Sequence, residues 1–177
     1  GIICCAMRMF GPDGFSPFYT NLFNVMKYEF KRNINNYLSS LGTNTTMNTL
    51  KDIIQFNRDN DKTCLKYGQL LLEECENNTS GKMNEVEYFE GIKEREDAIK
   101  VLDKIFKTHK LDIIYFAAYT SLGPHCGYPT MTIPSGKGKN NIPIGTYFLA
   151  PKYKEENLIK IGYALEQLIH KRINPIK

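Results

Sequence analysis

The sequence predicts an α/β layered protein on three observations. Apolar residues recur at helical spacing through residues 1–110, the pattern switches after Leu111 to short β-branched and aromatic runs, and helical spacing returns from about Glu155. Helices that bury one face against a sheet resolve into such layers.

The first helix is expected to begin with Ser16 as cap and Pro17 at the first helical position. Phe18, Leu22, Met26, Phe30, Ile34 and Leu38 then repeat every four residues, widened by Phe23, Tyr37 and Leu41, so this stripe is the face expected to be buried. Lys27, Lys31 and Asn35 fall on the opposite face, and Gly42 ends the helix. Thr49 followed by Asp52 opens a short helix through Ile53, Ile54 and Phe56. A third helix is expected from Thr63 to Glu76, broken off by Asn77 to Gly81. A fourth runs from about Asn84 to His109, with a solvated charged middle at Lys93 to Asp97.

From Leu111 the run Ile113 to Ala117 reads as a strand covered on both faces. Thr130 to Pro134 and Ile144 to Leu149 are two further strands, joined by a loop over Ser135 to Ile142. Leu158, Ile161, Leu165, Leu168 and Ile169 mark a final helix from Glu155 to Lys171, stopped by Pro175. Three strands leave an apolar sheet edge that needs further strands beside it, so the sheet reads as incomplete on its own.

The chain has 177 residues, of which 24% are charged and 42% hydrophobic. That is a globular composition, long enough to bury roughly 70% of the surface of its unfolded form. Its net charge of +4 is spread along the chain, which argues against nucleic acid as a partner. No apolar run approaches the ~20 residues of a spanning helix, so no membrane association is expected. The five cysteines, Cys4, Cys5, Cys64, Cys75 and Cys126, are odd in number and contain no CxxC pair, which favours reduced thiols and a cytoplasmic setting. The opening Gly-Ile-Ile-Cys-Cys does not read as a signal peptide and reads instead as a cut piece. Asn44, Asn77 and Asn78 each begin a glycosylation acceptor pattern, which matters only in a secreted chain.

Few residues suggest chemistry. His125 beside Cys126 invites a thiol nucleophile with an imidazole base, although neighbours in extended structure point to opposite faces. Gly136-Lys137-Gly138-Lys139 lacks the spacing of a phosphate loop and precedes a strand, so it reads as a hairpin connection. Ser39 and Ser40 sit in the last turn of a helix and read as structural. No metal-spaced His and Cys cluster and no dinucleotide motif is present, so neither cofactor nor metal is expected.

A resemblance says more. The run Cys126-Gly127-Tyr128-Pro129-Thr130-Met131-Thr132-Ile133-Pro134-Ser135-Gly136, followed by Ile142-Pro143-Ile144-Gly145, Ala150-Pro151 and the helix Tyr163-Ala164-Leu165-Glu166-Gln167, resembles the C-terminal hallmark of the amidase signature family. Tyr28-Glu29-Phe30-Lys31, Leu50 to Ile54 with Phe56-Asn57, and Tyr67-Gly68-Gln69 are similar to the region preceding that hallmark. The resemblance runs from about Val25 to Pro175 and implies the C-terminal portion of an α/β/α layered fold with a mixed central sheet. Residues 1–177 then form a single segment of an amidase-like domain, with 1–110 mainly helical, 111–150 strands and loops, and 151–177 the terminal helix.

The family implies hydrolysis of a carboxylic amide by a Ser-cisSer-Lys triad with a Gly-Gly-Ser-Ser-Gly-Gly loop, and no position of this sequence matches those residues. The expectation is therefore a part of an amide hydrolase without its nucleophile, inactive alone, with a small amide as substrate once joined to the missing half. Self-association through the open sheet edge is a further expectation. The alternative is a non-enzymatic amidase-like interaction module. No catalytic residue is assigned. Tyr119, Ser121 and His125, on the segment Tyr119 to Gly127 that follows the buried strand, are the candidate substrate-binding residues, because crevices beyond the carboxyl ends of strands hold ligands.

Overall fold

The structure is a computed structural model that describes residues 2–4, 22–117 and 120–172. They fall into two compact units, the described residues of Tyr19–Glu94 in one and those of Gly1–Phe18 and Arg95–Lys177 in the other.

The first unit is helical. It holds α1 (Leu22–Ser40), α2 (Leu50–Asp59), α3 (Asp61–Cys64), α4 (Leu70–Asn78) and the opening turns of α5 (Val86–His109). Ser16, Pro17 and Phe18, the expected start of α1, lie outside the described residues. The buried face of α1 meets the expected stripe only toward its end, where Leu38 is buried and Ile34 packs against Leu50 and Ile54; earlier, Val25 and Tyr28 are buried while Met26 is 51% exposed and Phe30 41%. The lysines of the opposite face explain the difference. Lys27 Nζ pairs with Glu74 Oε2 at 2.6 Å, and Lys31 Nζ donates to the carbonyl oxygens of Glu76 at 2.5 Å and Thr79 at 2.8 Å. The last carbonyls of α4 have no intrahelical partner and sit at the negative end of its dipole, so an ammonium there is favourable while the lysine stem packs. Asn35 Oδ1 accepts the Leu50 N–H at 2.7 Å from the same face.

The start of α2 is as expected. Thr49 Oγ1 accepts the Asp52 N–H at 3.3 Å, and Asp52 Oδ2 accepts the Asn48 and Thr49 N–H groups, each at 2.9 Å. These hydrogen bonds, the Asn48 one foremost, hold the Asp52 carboxyl below its ordinary range. Leu50 and Ile54 bury against Cys75, Ile34 and Leu72.

The helix expected over Thr63 to Glu76 is two helices. Gly68 turns left-handed at φ +73, and Gln69 bonds back to α2, accepting from Asn57 Nδ2 at 3.0 Å and donating to the Ile54 carbonyl at 3.2 Å.

The second unit holds the end of α5, the strands β1 (Ile2–Cys4), β2 (Ile113–Phe116), β3 (Thr130–Lys137) and β4 (Pro143–Leu149), and the helices α6 (Leu122–Cys126) and α7 (Glu155–Ile169). Strand order is β1-β2-β4-β3; β1 runs parallel to β2 and the other pairs are antiparallel, so the sheet is mixed. β1 is a strand the sequence did not signal, because three residues are too short for a period of two to show. The expected loop over Ser135 to Ile142 is shorter than read. β3 continues to Lys137 past an irregularity at Pro134/Gly136, where Gly136 has φ +136, and a 3-10 turn at Lys139–Asn141 leads into β4.

Both faces of the sheet are covered, as Ile113 and Ile114 at 0% exposure require. On one face Ile113, Ile133 and Phe148 pack with Leu158, Ile161 and Leu165 of α7. On the other, Ile114, Leu149 and Thr130 are in register and α6 approaches. A Cβ on Gly123 would collide with Thr130 Cγ2 and stand 2.8 Å from Leu149 Cδ1, so only glycine allows α6 to lie so close. Among the described residues no helix is long and apolar enough to cross a membrane.

The Thr49–Asp52 box yields a prediction: Thr49→Ala should destabilise the chain by about 1 kcal/mol in a denaturant titration followed by circular dichroism, and Thr49→Ser should restore most of it.

Candidate functional site

The segment expected to border a pocket is built on β2. Tyr119, one of its three candidate residues, lies outside the described residues, as does Ala118. Ser121 and His125 are described: Ser121 is the N-cap of α6 and His125 lies within it, a helix where the sequence suggested a loop. Pro124 disguised it: proline lacks an N–H, yet within the first turn of a helix none is needed. The Leu122 N–H is held by Thr120 Oγ1 at 3.2 Å, and the His125 N–H by the Ser121 carbonyl at 3.1 Å. Gly127 ends the helix in the left-handed region at φ +72, which a residue without Cβ adopts freely.

Ser121, the N-cap, and His125, within α6, are joined through the Ser121 carbonyl oxygen. The His125 ring is half-buried, with Nδ1 2.7 Å from the Ser121 carbonyl oxygen. Nε2 is buried and has no hydrogen-bond partner among the described residues, Cys126 included. The His125–Cys126 nucleophile considered from the sequence is therefore not assembled. Burial pushes the Cys126 thiol up, outweighing the opposite pull of Lys152 and Arg95, whereas a nucleophilic thiol needs the reverse. Ser40 Oγ donates to the Tyr37 carbonyl at 2.7 Å, which bears out a structural role for the end of α1. Among the described residues no group of three or more His, Cys, Asp or Glu is placed to hold a metal ion.

The residue that positions this segment is Tyr128, to which the sequence reading gave no role. Its hydroxyl donates to Asp103 Oδ1 at 2.5 Å and lies 3.2 Å from the Ile99 carbonyl, both on α5. Its ring stacks on Phe106 at 6.0 Å between centroids, and Lys152 Nζ sits 5.0 Å over it. Burial, then the Asp103 carboxylate, push the phenol well above its ordinary range. The sequence signal was there: a tyrosine between Gly127 and Pro129 has an apolar ring to bury and a polar tip that must find a partner.

Known proteins give these features a setting. A probable amidase of Arabidopsis thaliana is 30% identical over 146 residues, covering 78% of this chain and 27% of that protein. An amidase family protein from Bacillus anthracis str. Ames superposes with a TM-score of 0.74 and 32% identity over 91% of this chain and 32% of that one. The native peptide amidase from Stenotrophomonas maltophilia superposes with a TM-score of 0.71 and 26% identity over 90% of this chain and 35% of that one. No family model matches the chain. It thus spans about a third or less of the length of these relatives.

Fold and likeness together define a partial layered α/β protein with a mixed sheet, the counterpart of one part of a larger fold. That larger fold is an amidase: the chain is related in sequence and structure to the amidase-signature family, consistent with the C-terminal part of its members.

The Tyr128 geometry predicts a pH dependence. A phenol whose folded pKa is raised adds stability that is fully present below its unfolded value, near 10, and lost as pH rises through the folded value. Tyr128→Phe should be about 1.5–3 kcal/mol less stable at neutral pH, having lost a hydrogen bond to a charged group. Above about pH 10 the gap between the two proteins should narrow, read as thermal midpoints across an alkaline series.

Proposed function

We propose that this chain is the C-terminal part of a hydrolase of non-peptide carboxylic amides, supplying sheet, helices and one wall of the acyl pocket while the nucleophile comes from elsewhere in such a protein. The observation that carries this is the superposition of 91% of the chain on 32% of an amidase, combined with a sequence in which no Gly-Gly-Ser-Ser-Gly-Gly run occurs. The pocket wall is the segment Tyr119 to Gly127, with Tyr119, Ser121 and His125 as the residues that meet substrate. A hydroxyl at the N-cap of α6 and an imidazole within it are groups that support binding, and the raised Cys126 thiol speaks against covalent chemistry there. The two compact units act as one segment of that domain, which works without a metal or cofactor in a cytoplasmic setting. Alone, it self-associates through the β1 and β3 edges of its sheet.

The isolated chain should hydrolyse no aryl or aliphatic amide above background, since covalent catalysis needs an activated nucleophile. Turnover that survives repurification and disappears in Cys126→Ser would refute this and restore the thiol. Joined to the N-terminal part of an amidase that bears the Ser-cisSer-Lys residues, the chain should support turnover, and Tyr119→Ala or His125→Ala should alter the ratio of kcat/KM values among amides of different acyl size. A joined protein that stays inert would favour the non-enzymatic interaction module, and unchanged ratios would remove the segment from the pocket.

A further inference from the structure

The two edges of the sheet are built differently. Strand order is β1-β2-β4-β3, so among the described residues β1 and β3 each have one side without a neighbouring strand. On β3 the hydrogen-bond pattern fixes which groups face outward. Pro129 continues the register opposite Ala150, and its carbonyl accepts the Ala150 N–H at 3.1 Å, which makes this a hydrogen-bonded pair. Such pairs alternate with non-bonded ones along an antiparallel ladder. Thr130, Thr132 and Pro134, opposite Leu149, Tyr147 and Gly145, therefore turn their backbone groups away from β4. Thr130 and Thr132 are exposed and each offers an N–H on that side, but Pro134 has none. The register then slips between Pro134 and Gly136, where Gly136 has φ +136. A proline at an outward position followed by a bulge keeps an edge from pairing. On β1 neither occurs. Ile2, Ile3 and Cys4 pair in unbroken register with Ile113, Ile114 and Tyr115, and each has an N–H. Successive residues of a strand aim their backbone groups to opposite sides, so part of this set faces away from β2.

We propose that β1 is the one open edge of the sheet, and that two copies of this chain join β1 to β1, antiparallel, about a two-fold axis. Such an interface uses the same patch of both copies and closes on itself. Were β3 open as well, β1 of one copy would meet β3 of the next, and repetition of that contact has no end. The blocked β3 edge stops assembly at a dimer. With three residues a side the joint holds few hydrogen bonds, so the dimer is weak and forms at high protein concentration. The inference rests on the self-association read above from both edges and narrows it to one.

The test follows the full chain by sedimentation velocity from about 1 µM to about 1 mM, the span of weak association. Monomer should give way to dimer and to nothing larger. Hydrogen exchange read by mass spectrometry over the same dilution series should show the peptide holding Ile2–Cys4 exchanging faster as the dimer dissociates. The peptide holding Thr130 to Pro134 should exchange at one rate throughout. Thr132→Pro removes an outward N–H from β3 and should leave the dimer as it is; loss of the dimer with an unchanged circular dichroism spectrum would move the joint to β3 and overturn the inference. Species larger than a dimer in the unaltered chain, or concentration-dependent protection at Thr130 to Pro134, would uphold self-association and sink the single open edge. A monomer at every concentration would sink both. Turnover by the joined protein, which tests the hydrolase reading, does not depend on any of these outcomes.

Discussion

Tyr128 carries a phenol hydroxyl out of the turn between α6 and β3 and into α5, where Asp103 and the Ile99 carbonyl receive it. The sheet-bearing unit is organised around that bond. It fixes where α6 ends and β3 begins, and Gly127 in the left-handed region and the Tyr128 N–H on the Gly123 carbonyl at 2.9 Å follow from it. With the turn so held, α6 is pressed onto Thr130 and Leu149, a closeness Gly123 alone permits. The ring contributes as much as the hydroxyl, lying between Phe106 and the Lys152 ammonium. A hydrogen bond to an ionised carboxylate is worth about twice a neutral one, and here the donor, Tyr128, is the buried partner while Asp103 is exposed.

The helical unit is governed differently, by cations at a helix end. Lys27 and Glu74 form a partly buried ion pair. Lys31 adds the carbonyls of Glu76 and Thr79, groups that would otherwise lack partners, and Thr79 Oγ1 itself closes α4 by donating to the Cys75 carbonyl at 2.6 Å. Satisfying that end orients α1, and Phe23, Met26, Phe30 and Tyr37 are left exposed along one side.

The chemistry of α6 follows from the same economy of partners. Its short length leaves backbone carbonyls that side chains can use, and the Ser121 carbonyl takes both the His125 N–H and the His125 ring. The ring makes no hydrogen bond to Cys126, and burial pushes that thiol up.

By itself the sequence determined the class of fold, the long α5, the strands around Ile113, Thr130 and Ile144, the capping box at Thr49 and the kinship with amidases, because each is written in spacing between near neighbours or in a run of motif residues. Tyr119, Ser121 and His125 were marked in the sequence as three candidates on one segment. Only the tertiary structure decided which side of α1 is buried, that Thr63 to Glu76 breaks at Gly68, that Ile2–Cys4 pairs with β2, and that Tyr128 anchors the candidate site. Each of these depends on a partner far along the chain: Lys31 on Thr79, Ile2 on Ile113, Tyr128 on Asp103. Local periodicity reports what a segment prefers to bury, and the polar groups of distant segments, which must also be satisfied, settle what it does bury.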